Sequence, residues 1–351
     1  MQPVTIVGGG IAGLALAAAL DPERFEVTLH EQRPELPAVG TTLAMWPEAQ
    51  RALDAIGALD PLRDHPRATT LGIGSVTGAR WVTAPADAAL LVARGDLLGA
   101  LDAAVPPQVQ RVTGRVDRFP AVPEGAVVVG ADGVHSVVRA AVDPPRATAR
   151  LTSCLAVRGV VPDRLPADLM GEYWGRGLLF GTGPHRAGTN WYTSFRSDLG
   201  PRGVDVAEAL AETRARHATS TAPAVTRVLA AAEVGTTLAQ RIWTTPSLHT
   251  YVRGRTVLVG DAAHAMYPNL GRGACESLLD AVALGRLLGE RPVGEALAAY
   301  DRERRRRTQG LQRGSALMMR LALAGPSQPV RDALLAGAGR AGTAVRASRR
   351  A

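Results

Sequence analysis

The sequence predicts an α/β protein in which a parallel sheet with covering helices is interrupted by a mostly antiparallel β-sheet domain and closed by C-terminal helices. Three observations carry this expectation. The first thirty residues read as strand, glycine turn, helix and second strand. Two later apolar runs, at 126–131 and 256–259, each lead into an acidic residue next to glycine or alanine. Between those runs lie four strand-like segments separated by Gly/Pro turns.

With 351 residues, 46 % hydrophobic and 21 % charged, the chain can bury the cores of about two domains of roughly 150 residues each. That composition excludes a disordered chain. Two cysteines, Cys154 and Cys275, cannot staple a secreted scaffold of this size, so a reducing, cytoplasmic setting is expected. The apolar stretch from Val4 to Leu20 is broken by glycines and lacks a basic leader or a cleavage site. It therefore predicts neither a signal peptide nor a membrane span. The formal charge is +8, and every basic residue is Arg. The run Arg304–Arg307 reads as a solvated helix face or turn, and residues 326–351 as a loose basic tail, so neither nucleic acid nor membrane is expected as a partner.

Val4–Val7 is a β-branched run ending at Gly8-Gly9-Gly10; Ile11–Leu20 reads as a helix and Phe25–Leu29 as a strand that closes at His30-Glu31. Gly8-x-Gly10-x-x-Gly13 therefore follows a strand and opens a helix, as a Rossmann-like dinucleotide turn must. Gly8 allows the tight turn, Gly10 lets backbone amides approach a pyrophosphate, and Gly13 lets the helix lie close to the strand. The phosphates would sit on the first helical turn, at Ile11 and Ala12. Glu31, 18 residues after Gly13, is placed to accept hydrogen bonds from both ribose hydroxyls, and a 2′-phosphate there would meet like charge. The resident dinucleotide is thus FAD or NAD rather than NADP. A second glycine pattern, Gly72-x-Gly74-x-x-x-Gly78, precedes a strand and not a helix, and reads as a hairpin turn within 67–82.

The run 126–131 leads into Asp132-Gly133, with Ser136 placed to open a short helix ending near Arg139. Thr256–Val259 leads into Gly260-Asp261-Ala262-Ala263-His264, a loop holding Pro268, Gly271 and Gly273, and then an Ala/Leu-rich helix. This creates a second ligand-facing helix N-terminus, which NAD would not require. Its amides, from Gly271 to Ala274, suit a ligand edge that carries negative charge.

These three blocks in this order resemble the class A FAD-dependent monooxygenases of the p-hydroxybenzoate hydroxylase type, over the chain to about residue 310. The resemblance implies FAD held by Glu31 at the adenosine ribose, by the glycine turn at the pyrophosphate, and by Asp261 at the ribityl or pyrophosphate portion. Arg33, Arg94 and Asp132 also match cofactor-side positions of the family, and Pro268 lies in the loop that faces the ring. It further implies NADPH or NADH as a transient reductant and O₂ as co-substrate. In that chemistry a flavin C4a-hydroperoxide hydroxylates or epoxidises an electron-rich aromatic ring or alkene. This chain has Arg272, Cys275 and Leu279-Asp280 where the family often has Gln, Asn and Glu-Asp.

The expected organisation is an FAD-binding domain from 1–66, 83–150 and 251–325 and a substrate domain from 67–82 and 151–250. The latter contains strands at 154–161, 172–180, 190–195 and 234–243 and helices at 206–217 and 222–232. Residues 295–323 read as one or two helices. Candidate substrate contacts are Met45, Trp174, Trp191, Trp243, Tyr267 and Pro268; Tyr267 is the sole candidate for a catalytic side chain, since flavin carries the chemistry. His264 reads as structural and Cys275 as a small buried helix residue. A metal site is not expected, and the assembly expected is a monomer or weak homodimer. The alternatives are a reductase or dehydrogenase of the same fold without oxygen insertion, and a non-catalytic flavin-binding accessory protein.

Overall fold

Two β-sheets organise the chain in the computed structural model, which describes residues 1–32, 42–200 and 203–348. In chain order the elements are β1 (Gln2–Val7), α1 (Ile11–Ala19), β2 (Phe25–Glu31), β3 (Thr42–Met45), α2 (Pro47–Ala55), β4 (Arg67–Ser75), β5 (Arg80–Ala93) and α3 (Arg94–Ala104). Next come β6 (Gln110–Thr113), β7 (Val127–Gly130), α4 (Arg139–Val142), β8 (Arg150–Val161), β9 (Gly171–Trp174), β10 (Leu178–His185), β11 (Gly188–Arg196), α5 (Val206–Arg216) and α6 (Pro223–Ala231). The chain continues with β12 (Thr237–Thr244), β13 (Val252–Arg253), β14 (Thr256–Leu258), α7 (Asp261–His264), α8 (Gly273–Glu290), α9 (Val293–Ala322) and α10 (Gln328–Ser348).

The first sheet has the order β13-β14-β7-β1-β2-β6 and is parallel except for β13. Val4, Ile6 and Val7 on β1 and Val127, Val128 and Val129 on β7 are all buried, as strands covered on both faces require. α1 is buried from Ile11 to Ala17, so it carries no polar face. It is enclosed by α8, where a Cβ on Gly285 would lie 2.8 Å from that of Ala19.

The second sheet has the order β12-β8-β11-β10-β9-β4-β5-β3 and is antiparallel except where β4 meets β9. Its outer face packs under α5 and α6 around Leu155, Val157, Phe180, Trp191 and Phe195. Its inner face, with Cys154, Ala156, Trp174 and Leu179, meets Tyr267 and the end of α9 at Met319 and Ala322.

Several sequence expectations change. The strand expected over 172–180 is two strands, because Gly177 turns the chain at φ 73°. β5 runs on to Ala93, beyond the boundary expected at 82, and β3 joins the same sheet. Residues 326–351 contain a helix, α10, whose approach to β5 is so close that a Cβ on Gly339 would lie 1.7 Å from the Trp81 carbonyl oxygen. The arginine run lies within the single helix α9 and not in a turn; Arg306 and Arg307 are exposed on it, but Arg304 is buried. Two buried carboxylates on α8, Glu276 and Asp280, demand a counter-charge, and Arg304 supplies it.

α9 carries a buried stripe that is largely polar, through Arg304, Thr308, Gln312 and Ser315. Two of these side chains, Thr308 and Gln312, reach the segment that leads to the site. Thr308 bonds the Tyr251 hydroxyl at 2.7 Å, and Gln312 donates to the carbonyls of Thr245 and Ala265 at 2.7 and 3.1 Å. Buried backbone carbonyls left without strand partners are satisfied in this way.

Candidate active site

β1, β7 and β14 end side by side, with Val7 opposite Gly130 and Gly130 opposite Leu258. The segments Gly8–Gly13, Asp132–Gly133 and Gly260–Asp261 therefore leave one sheet edge together, although they are more than 100 residues apart in sequence. Gly8 has φ 106°, and a Cβ there would lie 2.4 Å from the Ala131 carbonyl oxygen. A Cβ on Gly13 would lie 1.8 Å from the Gly8 carbonyl oxygen. Gly10, by contrast, has nothing within 4 Å of its Cβ position; it faces open space at the start of α1. Glu31 Oε2 accepts the Gly9 N–H at 2.7 Å and so holds the turn from β2. Arg33 lies outside the described residues.

Asp132 curls back on its own loop. Its Oδ2 accepts the Val137 N–H at 2.7 Å, while Oδ1 is buried with no hydrogen-bond partner among the described residues, and burial pushes the carboxyl pKa up. Ser136 does not open the helix; its Oγ accepts from the Arg139 N–H, and α4 begins at Arg139 itself. Arg139 is fully buried, and its Nη1 donates to the carbonyls of Ala262 and Ala263 at 2.7 and 2.9 Å, clamping the second block to the third. Burial lowers its pKa to about 10. Sequence reasoning missed this role, because the carbonyls that Arg139 satisfies lie 123 and 124 residues downstream.

The third block rests on Asp280. Its Oδ2 accepts the Gly260 N–H at 2.9 Å and pairs with His264 Nε2 at 2.6 Å, and its Oδ1 accepts from Arg304 Nε at 2.7 Å. Although burial works against its charge, His264 and Arg304 hold its pKa down at about 2. His264 is thus structural. Asp261 follows Gly260 (φ 58°) and is exposed at the sheet edge.

Pro268 is exposed and opens a 3₁₀ turn; Gly271 is left-handed (φ 58°, ψ 28°), and α8 starts at Gly273. The amides of Gly273 and Ala274 fall in its first turn, where an α-helix has no carbonyl to bond them. Arg272 pairs with Glu48 at 2.9 Å and Glu276 at 2.8 Å, fastening this loop to α2. Cys275 Sγ donates to the Ala44 carbonyl at 3.0 Å, and burial pushes the thiol up to about 11. Beside the loop, Trp46 Nε1 is buried without a hydrogen-bond partner among the described residues, 4.0 Å from the Cβ position of Gly271. Arg94 begins α3 where β5 ends.

The inner face of the second sheet supplies the opposite wall, and here the substrate candidates sort differently from expectation. Met45 is fully buried in the core of the first domain, and its neighbour Trp46 faces the loop instead. Trp191 is fully buried on the outer face, stacked on Phe180 at 5.8 Å. Trp243 pairs with Leu151, which shares the alternation of outer-face Leu155, so it is off the inner face that its neighbour Ile242 joins, and its ring stands edge-on to His135 at 4.7 Å. Trp174 is on the inner face but covered, with Nε1 donating to Glu172 at 2.7 Å. Tyr267 packs where the Pro268 loop meets this sheet, and burial pushes its phenol up. The residues that line this face are Glu172, Tyr192 and Arg158, which sequence reasoning passed over; a carboxylate in a strand of aromatic residues was the available signal.

A glycine-turned parallel sheet with two further strand ends at its ligand edge, faced by a separate β-sheet wall, defines a dinucleotide-dependent enzyme that acts on a small molecule. Residues 125–315 match the FAD binding domain family, and residues 6–44 the NAD(P)-binding Rossmann-like domain. Aurachin C monooxygenase/isomerase of Stigmatella aurantiaca is 31 % identical over 89 % of this chain and 87 % of its own. 2-Heptyl-3-hydroxy-4(1H)-quinolone synthase of Pseudomonas aeruginosa is 31 % identical over 91 % of this chain and 89 % of its own. Klebsiella pneumoniae HpxO, solved with FAD and uric acid, superposes with a TM-score of 0.82 at 22 % identity, covering 95 % of this chain and 92 % of that one. The chain belongs to the class A FAD-dependent monooxygenases, and it uses FAD with NAD(P)H and O₂. Among the described residues no helix is long and apolar enough to cross a membrane, and no cluster of His, Cys, Asp or Glu is placed to hold a metal.

Proposed function

We propose that this enzyme hydroxylates or epoxidises an electron-rich, largely apolar ring or alkene bound between the Pro268 loop and the inner face of the second sheet. The observation that carries this reading is the convergence of three strand ends with polar atoms that the protein leaves unsatisfied. Among the described residues, Asp132 Oδ1 and Trp46 Nε1 are buried without hydrogen-bond partners beside the glycine turn and the Pro268 loop, and nothing fills the space at Gly10. Buried polar groups are normally paired, so atoms of this kind fit a bound polar cofactor.

FAD, when bound there, accepts reducing equivalents from NAD(P)H and activates O₂ for transfer to the substrate. Glu31 would hold the adenosine ribose, and the amides of Gly10, Ile11 and Ala12 the pyrophosphate at the positive end of α1. Gly13 keeps that helix close enough to the strand for those amides to reach. Asp132, Asp261 and Arg94 would border the middle of the cofactor, and the Gly271, Gly273 and Ala274 backbone its ring edge, where helix-terminal amides favour negative charge. Pro268 and Tyr267 would lie between ring and substrate and exclude water. The two named relatives carry monooxygenase and 3-hydroxyquinolone synthase activities in their names, which favours a ring substrate. We place the enzyme in the cytoplasm as a monomer or weak homodimer.

Absorption of the purified protein with FAD, followed by anaerobic NADH or NADPH, tests the assignment. Flavin bands that bleach, and bleach faster with a bound ring substrate, support it; absence of flavin binding at excess FAD refutes it. Incorporation of ¹⁸O from ¹⁸O₂ into product separates oxygen insertion from a reductase or dehydrogenase of the same fold.

A further inference from the structure

One row of residues crosses the inner face of the second sheet: Arg158 on β8 lies opposite Tyr192 on β11, Tyr192 opposite Gly181 on β10, and Gly181 opposite Glu172 on β9. The Tyr192 ring lies flat over Gly181, where any Cβ would come within 2.1 Å of it. Its hydroxyl reaches across that strand and donates to Glu172 Oε1 at 2.8 Å, while Trp174 Nε1 donates to Oε2 at 2.7 Å. Trp174 is in turn held by the Arg331 guanidinium over its ring at 5.6 Å. Arg331 is buried and anchored to the carbonyls of Gly175 and Ala322 at 3.2 and 2.8 Å. Three separate stretches of chain thus converge to orient one carboxylate.

We propose that Glu172 is the substrate-orienting residue, accepting a hydrogen bond from a ring O–H or N–H of the substrate. The proposal deepens the monooxygenase reading and rests on it, since it takes the inner sheet face as the substrate's wall. A carboxylate offers about four acceptor sites, and the protein fills two of them, both with neutral donors. No arginine pairs with Glu172 in any ion pair of the described residues; Arg158, the cation of the row, lies three strands away and donates to Gln240 at 2.9 Å. Taking such a charge out of water is costly, and a purely structural link between Trp174 and Tyr192 would need no charge at all. Glu172 is half-buried and Tyr192 exposed, so both can reach a ligand, and the protein around them pushes the carboxyl up and the phenol well up. A donor on the substrate completes the unfilled acceptor sites and fixes which ring carbon faces the flavin.

Two matched pairs of probes differ only in the donor: 2-naphthol against 2-methoxynaphthalene, and indole against N-methylindole. Calorimetric titration of the FAD-loaded protein measures each affinity without turnover, so the result stands apart from the flavin-reduction and ¹⁸O tests of the parent reading. The donor-bearing member is expected to bind about tenfold or more tightly. In Glu172→Gln that preference falls to a few fold, and in Glu172→Met to none, with FAD binding unchanged. Should Glu172→Met not fold, the Gln variant still gives the ratio. Equal affinities within both pairs in the unmodified protein, no binding of any probe, or a preference that survives Glu172→Gln in full would each overturn the proposal.

Discussion

Replacing Arg304 with Leu tests whether the arginine run of α9 is architecture or surface. Arg304 bridges Asp280 at 2.7 Å and Glu276 at 2.5 Å, and both carboxylates are fully buried. After the substitution Asp280 keeps the Gly260 N–H and His264, and Glu276 keeps Arg272, so each carboxylate loses one of its charged partners and not all of them. Breaking one side of a buried ion pair costs about 3–5 kcal/mol, and the lower end applies because other partners remain. A loss of about 3 kcal/mol is therefore expected at pH 7 in urea or guanidinium unfolding. The sign with pH follows from Asp280. Its folded pKa of about 2 is depressed below the ordinary aspartate value of 3.8, so its contribution is complete above the unfolded value and disappears as pH falls through about 2. The gap between the two proteins should accordingly narrow on acidification. FAD affinity should fall as well, since Asp280 anchors the Gly260 amide. The exposed neighbour Arg306, changed to Leu, should shift stability by less than about 0.5 kcal/mol. If Arg304→Leu loses under about 1 kcal/mol, or no more than Arg306→Leu, the reasoning fails.

Gly13→Ala should abolish flavin retention, because its Cβ would lie 1.8 Å from a backbone oxygen of the turn; absorbance at 450 nm of the purified variant measures this. Acid should destabilise the substrate domain through His217, buried against Thr193, Ser220 and Phe180 with its pKa depressed from 6.5 to about 4. The unfolded chain binds that proton first, so stability is complete above about 6.5 and falls by about 3 kcal/mol toward pH 4; His217→Gln should flatten that limb of a pH–denaturation series. Both cysteines are free and buried, and the Cys275 thiol is pushed up to about 11. A thiol reagent at pH 8 should therefore label neither in the folded protein and both in guanidinium.

Local features were the most legible in the sequence. The Gly8–Gly13 turn, the strand ends at Gly130 and Leu258, and the helices α5 and α6 fall within a residue or two of expectation, because each depends on neighbours in the chain. The substrate wall was less legible. Aromatic clustering pointed to Trp174, Trp191 and Trp243, yet the first is covered, the second lies on the outer face and the third is carried off the inner face by strand alternation. Strand alternation separates Trp191 from Tyr192, but which of the two faces the cofactor is set by the helices that cover the other side. Met45 and Trp46 repeat the lesson at a strand-to-helix junction.

The sequence by itself determined the class of enzyme, since a glycine turn, an acidic strand end and a helix N-terminus are short-range requirements of backbone sterics and helix electrostatics. Only the tertiary structure decided which charges are paired and which side chains meet. Arg139 finds its carbonyls in the third block, Arg304 its carboxylates one helix earlier, and Glu172 its donors on β9 and β11. Those pairings depend on desolvation, and a charge is desolvated only when segments distant in the chain close over it.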